Sequence, residues 1–412
     1  MTAPADPAVP EARRRLGRVE FIAMMGTIFA TVAFSIDAML PALPQIATEL
    51  SPEAANRAQL ILTSFVLGMG LGTLVVGPLS DALGRKTLIL MGAALYLAGA
   101  MLAYVAPSLE LLLLARVIQG LGAAGPRVVS LAMIRDLYSG RGMAQIVSYA
   151  MMIFTLFPAV APLIGAAIIA GFGWRSIFLA FVIFSLLSVG WITLRQPETL
   201  PRAARRKLSL RQTLTDMREA MAHRQMQLSI LVQTVVFGVL FGALSSVQQL
   251  FDLTYGRGES FPVWFALIAL MSAPAAPTNA RLVMRLGMRP MIRSALWVSA
   301  SLSFATALAV GVLQLGGAEF WVYFVWTVSI FATAAFTIGN LNALALEPLG
   351  HIAGTASSLM GALATVGGAI LGAGLGQLYN GTPVPLAIGA GILLTAGALV
   401  MRTMPREGAD AG

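Results

Sequence analysis

The sequence predicts an all-α integral membrane protein, with twelve transmembrane helices in two six-helix bundles and both termini in the cytoplasm. Of its 412 residues, 58% are hydrophobic and only 11% are charged, and the mean hydropathy is +0.81. Soluble proteins carry about 25% charged residues, so most of the outer surface is predicted to face lipid. Apolar runs fill both halves of the chain, and one long polar segment separates them.

Each predicted span is an apolar run of about 20 residues or more, which is the length a helix needs to cross the hydrocarbon core. The runs end at charges, prolines or clusters of glycine. The predicted spans are 20–45, 58–79, 87–106, 109–137, 142–171, 175–195, 226–254, 260–285, 289–314, 318–347, 352–379 and 383–403. The first run is too long for the core of a signal peptide, so we expect it to remain in the protein.

Charges between the spans predict the topology. The side that holds both termini carries most of the Lys and Arg residues, including the cluster from Arg202 to Arg224. The other side carries only Arg57, Arg175 and Arg257, beside several acidic residues. By the positive-inside rule the first side is cytoplasmic, which predicts a multi-pass protein of the cell inner (plasma) membrane. The link near 347–352 is an exception, since His351 is its only basic group.

The polar segment predicts a connector between two halves. Leu210, Leu214, Met217 and Met221 recur at helical spacing, and Ser209 begins a capping box with Gln212. This pattern is typical of a short amphipathic helix on the membrane face. The predicted segments are a cytoplasmic N-terminal tail (1–19), an N-terminal bundle (20–195), a cytoplasmic linker (196–225), a C-terminal bundle (226–403) and a cytoplasmic tail (404–412).

Asp37 is an acidic residue inside the first apolar run. A charged Asp at the centre of a membrane helix costs about 2.5–3.5 kcal/mol on insertion scales. Pro41 follows four residues later and has no N–H to donate to the carbonyl of Asp37. We therefore expect Asp37 to line a cavity formed by protein or filled with water, because lipid would satisfy neither group.

The stretch from Gly77 to Lys86, GPLSDALGRK, predicts a tight cytoplasmic hairpin in which Asp81 either pairs with Arg85 or caps a nearby helix N-terminus. It resembles the signature of the major facilitator superfamily between helices two and three. Other stretches resemble the Bcr/CflA branch of drug:proton antiporters within that superfamily. They are Ser35 to Pro44, Arg116 to Ala124, Arg135 to Tyr138, Ala161 to Gly165, Trp174 to Phe178 and Gly354 to Ser358.

This resemblance implies two bundles that rock around a central cavity, and a protein that exports small amphipathic compounds in exchange for protons. Multidrug efflux and antibiotic resistance are the roles that such antiporters perform. The resemblance also implies that the positions of Asp37 and Arg116 bind proton and substrate. The residues agree, because helix one runs outward and helix four runs inward, so both side chains lie at similar depth. The alternative is an ion pair that only holds the two helices together.

Further positions are candidates for substrate contact or for gating. Arg127 follows Arg116 by three helical turns, so it is either a second cationic group in the cavity or an Arg that snorkels to the interface. Candidate cavity residues are Arg127, Gln119, Gln248, Gln249, Tyr323, Trp326, Asn340 and Asn342. Candidate gating residues are Gly77, Asp81, Gly84, Arg85, Asp136, Pro158, Pro162 and Gly165.

Two glycine patterns bear on how the bundles move. Gly68-xxx-Gly72 in helix two and Gly368-xxx-Gly372-xxx-Gly376 in helix eleven allow close helix packing, and we expect either a sliding surface between the halves or plain packing. In helix five, Ala161 and Ala166 stand where antiporters of this superfamily tend to have Gly. That departure keeps open an alternative function, a proton-coupled importer or exchanger of a small metabolite.

The composition disfavours other classes of function. The chain has no Cys, two His, and no HExxH or GxSxG motif, so neither an enzyme nor a metal site is expected. The net charge of +9 is explained by topology rather than by nucleic-acid binding. The expected partners are protons, a small-molecule substrate and the lipid bilayer. The expected state is a monomer without cofactors that is driven by the proton gradient.

Overall fold

The computed structural model describes residues 16–205 and 209–404, and every regular element in these two ranges is helical. The predicted tails lie outside the described residues except for 16–19 and 404. The N-terminal half contains α1 (Arg18–Asp37), α2 (Leu43–Leu50), α3 (Leu60–Leu83), α4 (Arg85–Tyr104), α5 (Leu109–Leu137), α6 (Gly140–Phe172) and α7 (Ser176–Arg195). The C-terminal half contains α9 (Arg224–Gln249), α10 (Phe261–Ser272), α11 (Ala275–Leu286), α12 (Met288–Gly311), α13 (Glu319–Leu346), α14 (Ala353–Gln377) and α15 (Val384–Val400).

The short helix α8 (Leu210–Ala222) lies between the halves, as the amphipathic pattern predicts. The Ser209 hydroxyl accepts a hydrogen bond from the backbone N–H of Gln212 at 3.2 Å, so the predicted N-cap is present. The Gln212 side chain donates instead to Asp216. Helix α8 packs against α14 and α9, and the side of the molecule where it lies is called the linker side below.

Two predicted spans are broken by proline. Helix α1 ends at Asp37, a 3-10 turn follows at Leu40–Ala42, and α2 then runs to Leu50. The predicted span 20–45 lies within one candidate membrane span, Arg18–Leu50, but its helix is interrupted, because Pro41 cannot supply the N–H that would continue the helix past Asp37. The span 260–285 is likewise divided into α10 and α11, at Pro274.

Eleven stretches of the described residues are long and apolar enough to cross a membrane. One of them, Gly316–Gln377, has 62 residues, and a single helix of that length would extend about 93 Å, three times the hydrocarbon thickness. It contains α13 and α14, separated by a 3-10 turn at Glu347–Ile352 in which Leu349 leaves helical geometry. The stretch is therefore two helices that pack against each other.

Helices pack mainly within each half. In the first half α5 packs against α3 and α4, and α1 packs against α6 and α7; in the second half α9 packs against α14 and α13, and α12 packs against α15. The halves contact each other mainly through α3 with α14 and α6 with α10, and also through α9 with α2 and α3 and through α14 with the 3-10 turn Ala55–Gln59. The fold is therefore two helical bundles that meet at several helix pairs.

Most glycines of the two stripes lie inside the bundles. A Cβ on Gly68 would overlap the Val117 carbonyl of α5, and one on Gly372 would overlap Phe241 of α9. Of the two alternatives, plain packing is therefore confirmed for Gly68, Gly72, Gly368 and Gly372, whereas Gly376 faces Gln59 of the other half. Gly70, which faces Val366 of α14, is on the interface instead. Gly70 lies two positions from both Gly68 and Gly72. Two helical positions correspond to a rotation of about 200° around the axis, so Gly70 lies on the opposite face of α3.

Candidate functional site

Arg116 is fully buried at the centre of the N-terminal bundle. Its Nε donates to the Ile61 carbonyl at 3.3 Å, its Nη1 to Gln119 Oε1 at 2.7 Å and its Nη2 to the Ser35 carbonyl at 2.8 Å. The guanidinium also lies 4.4 Å from the centre of the Phe65 ring, a distance at which a cation is attracted to an aromatic face. Neutral acceptors and a ring therefore hold this cation between α1, α3 and α5.

Two hydroxyl groups extend this network to α4. Ser35 Oγ donates to the Thr31 carbonyl at 2.6 Å and lies 2.5 Å from the hydroxyl of Tyr96. Because the Ser35 proton is already used, Tyr96 is the donor of that second bond. Sequence reasoning missed Tyr96, because one tyrosine inside an apolar run carries no local signal. Tertiary contact alone brings it to Ser35.

Asp37 is the last residue of α1 and is only 5% exposed. No hydrogen bond or ion pair joins its carboxylate to any residue in 16–205 or 209–404, so the predicted pair with Arg116 is absent from this conformation. Arg116 is bonded without Asp37, because the carbonyls of Ile61 and Ser35 and the side chain of Gln119 accept hydrogen bonds from its guanidinium. The carboxylate can therefore take up or release a proton without breaking a salt bridge, and protonation removes a buried charge that is costly when unpaired.

Arg127 lies in the same helix as Arg116, ten residues before α5 ends. Its side chain is partly buried, and within the described part of the chain its guanidinium donates only to Met69 Sδ, at 3.8 Å. A thioether is a weak acceptor. Residues 16–205 and 209–404 therefore provide no counter-ion for this cation.

The other predicted cavity residues do not form one cluster with Asp37. Gln119 supports Arg116 and its Nε2 is buried without an acceptor. Trp326 points into the C-terminal bundle, where it donates to Ser303 of α12 at 2.8 Å, and Tyr323 stacks on Tyr255. Asn340 donates a hydrogen bond to Asn279, and Asn342 donates to the Ile338 carbonyl of its own helix. Gln248 is buried near the end of α9.

Gln249 belongs to a polar network that joins the halves on the side opposite the linker. Gln59 donates to Gln249 at 2.5 Å, and Gln249 donates to Asn56 at 2.8 Å. Asn56 in turn donates to the Tyr379 carbonyl at 2.9 Å and accepts from Gln377 at 2.8 Å. These bonds tie the start of α3 to the ends of α9 and α14. The bundles are therefore in contact at this end.

Arg85 forms a polar cluster on the linker side, and this cluster contains the predicted pair with Asp81. It is 4% exposed and bonds to Asp81 at 2.5 Å, to Asp136 of α5 at 2.9 Å and to Ser80 at 2.6 Å. Gly84 turns the chain at φ +101°, a value that favours glycine. The predicted pairing of Asp81 with Arg85 is confirmed, and Asp136 joins α5 to the same hairpin.

Helix α6 runs through Pro158 and Pro162 without a break and brings Gly165 against α1. A Cβ on Gly165 would overlap the Ala38 carbonyl, directly after Asp37. The close approach of these two backbones therefore needs glycine and helps to position the end of α1. The remaining gating candidate, Gly77, faces Ser358 of α14 across the interface between the halves.

Gly165→Ala is therefore expected to lower stability, by about 1–3 kcal/mol as for other overpacked sites, because α1 must shift. Gly171→Ala is the matched control, since nothing lies within 4 Å of the Cβ position in the same helix. Thermal unfolding of the purified variants in detergent measures the effect. Equal behaviour of the two variants would contradict the assigned contact.

Comparison with known proteins agrees with this architecture. The family model described as Major Facilitator Superfamily matches residues 23–373. A bicyclomycin resistance protein homolog of Haemophilus influenzae is 30% identical over 387 residues, which cover 92% of this chain and 93% of that protein. Multidrug resistance protein D of Escherichia coli is 26% identical, over 87% of this chain and 89% of that protein.

Solved structures show the same fold at low identity. The xylose transporter of E. coli, in a partially occluded inward-open conformation, has a TM-score of 0.71 and 14% identity, with 95% of this chain and 98% of that one covered. The human organic anion transporter has a TM-score of 0.61 and 18% identity, with 93% and 99% covered.

Proposed function

Because the chain belongs to the Major Facilitator Superfamily, we propose that it is a proton-coupled transporter that exports small amphipathic compounds by alternating access. The observation that carries the proposal is Asp37, a buried carboxylate at the end of an interrupted membrane helix, with no hydrogen-bond or ion-pair partner among the residues that the structure describes. A group of this kind, close to the buried Arg116 network, is suited to binding a proton in one step of a transport cycle. Relatives named as resistance proteins support export.

We also propose twelve membrane crossings, with α13 and α14 counted separately and the linker side in the cytoplasm of a cell inner membrane. The charge distribution supports this orientation, because Lys86, Arg202 and Arg205 lie on the linker side. The polar network at Asn56 and Gln59 would then close the bundles on the outer side. The chain would act as a monomer and need no cofactor.

Arg127 is proposed to contact the substrate. It lies about 16 Å along α5 from Arg116, from the rise per residue, and Met69 is a weak partner for its charge. An acceptor or acidic group on a substrate would supply the missing counterpart. Arg127 is the cationic side chain among the candidate cavity residues of the N-terminal half, so it would favour substrates that carry such a group.

Purified full-length protein in liposomes with an internal pH dye tests the function. Entry of a transported compound should drive protons out and raise the internal pH if the protein is an antiporter. A fall in internal pH would instead identify the proton-coupled importer that Ala161 and Ala166 left open. No pH change with any compound of a broad panel, despite measured compound uptake, would contradict proton coupling.

A further inference from the structure

A second candidate site lies on the linker side of the N-terminal bundle, away from Asp37 and Arg116. It is a depression of about 410 Å³ between the start of α4 and the chain that follows α7. Residues that line it include Lys86, Thr87, Leu90, Glu198, Arg202 and Arg205. Three of these side chains are cationic and one is acidic, so the depression carries a net charge of +2.

The acidic residue offsets one of the three positive charges. Glu198 accepts hydrogen bonds from the backbone N–H groups of Arg85 at 3.0 Å, Lys86 at 3.1 Å and Leu200 at 3.0 Å. Its carboxylate also forms an ion pair with Arg205 Nη2 at 3.8 Å. Glu198 therefore mainly holds the hairpin and the start of α4 in place.

The cations retain unused donors. Arg205 Nε is buried and has no hydrogen-bond partner in the described part of the chain. Arg202 is exposed and bonds to no side chain or carbonyl within residues 16–205 and 209–404. Lys86 Nζ donates to the Thr193 carbonyl, which uses one of its three protons. Arginine forks and an ammonium group together suit the oxygens of a phosphate.

An apolar surface continues from the depression along α4. Leu90, in its wall, is 42% exposed, and the adjacent Met91 is 52% exposed. These residues lie one turn beyond Lys86 in a helix that is apolar enough to span a membrane. A ligand that fits both parts has an anionic headgroup and an acyl chain.

We propose that this depression binds the phosphate headgroup of an anionic phospholipid, with an acyl chain against Leu90 and Met91. Arg202, Arg205 and Lys86 would contact the phosphate oxygens. The site is separate from the Arg85 cluster, whose donors are occupied by Asp81, Asp136 and Ser80. It does not depend on the direction of transport or on the substrate.

Native mass spectrometry of the purified full chain, with phosphatidylglycerol and phosphatidylcholine added, tests the proposal. Phosphatidylglycerol should bind more tightly, and Arg202→Gln/Arg205→Gln should weaken its binding about 30-fold, from two basic contacts near a membrane surface. Arg211→Gln/Arg218→Gln removes the same charge from exposed positions of α8 and should change binding by less than about threefold. Arg202→Gln alone alters no bond within the described residues and should weaken binding about fivefold without affecting folding.

Equal losses in the two double variants would show general attraction to the surface and overturn the site. Inorganic phosphate provides the second arm of the experiment. If millimolar phosphate displaces phosphatidylglycerol through the same two arginines, the ligand is a free anion and the lipid proposal fails. Failure of phosphate to displace it, together with the preference over phosphatidylcholine, supports a lipid site.

Discussion

Asp37→Asn is expected to abolish proton-driven transport while the protein remains inserted and folded. Asn has nearly the same shape as Asp but cannot exchange a proton. No hydrogen bond or ion pair within the described residues is lost, and an unpaired buried carboxylate is removed. Stability should therefore stay the same or rise, because burying a charge without a partner is unfavourable. The dye-loaded liposome assay and a thermal unfolding curve measure the two effects.

Glu110→Gln is the control for the loss of a carboxylate. Glu110 pairs with Arg57 at 2.8 Å, and their side chains are 67% and 46% exposed. Exposed pairs of this kind contribute about 1 kcal/mol or less, so this variant should transport normally. Transport driven by a pH gradient in Asp37→Asn, at a rate close to that of the parent, would rule out Asp37 as the proton site.

Arg116→Gln is expected to abolish transport and also to destabilise the N-terminal bundle. The shorter amide cannot reach all three acceptors, so the carbonyls of Ser35 and Ile61 lose their side-chain donor. Leaving a buried polar group unpaired costs about 1–3 kcal/mol. Arg116→Lys keeps the charge without the planar fork and should restore part of the stability but little transport.

Thermal unfolding and transport measured on the same preparations separate the two effects of Arg116. Arg57→Gln is the matched control, because Arg57 is exposed at the end of the molecule opposite the linker side. Unchanged stability of Arg116→Gln would contradict the bonding network. Full transport by Arg116→Gln would remove Arg116 from the proposed mechanism.

Asp37→Asn and Arg116→Gln also distinguish the role of the carboxylate from that of the guanidinium. Asp37→Asn should lose coupling alone, whereas Arg116→Gln should lose coupling and stability together. The difference follows from the hydrogen bonds, since Arg116 makes three and Asp37 makes none with its side chain among the described residues. An intact ion pair would instead make both single variants destabilising.

Local features of the chain were predictable from the sequence. Apolar runs located most helices to within a few residues, because lipid demands long apolar segments; the exceptions are the spans 20–45 and 260–285, which proline interrupts. The Asp81–Arg85 pair and the Ser209 cap were predictable because their partners lie within four residues along the chain. The special character of Asp37 was also predictable, because a charge in an apolar run followed by proline is costly wherever the helix lies.

Contacts between distant segments were decided only by the tertiary structure. The similar depth of Asp37 and Arg116 in the membrane predicted that they would pair, but backbone carbonyls and Gln119 bind the guanidinium instead. The direction of a backbone carbonyl cannot be predicted from a sequence pattern. Gln249 was a candidate for substrate contact, yet it joins α3 and α9 through Gln59 and Asn56. The amino-acid sequence by itself determined which residues are costly in a membrane. Packing decided which neighbouring groups bond to these costly residues. The choice of neighbour depends on the rotation and separation of the helices rather than on spacing along the chain.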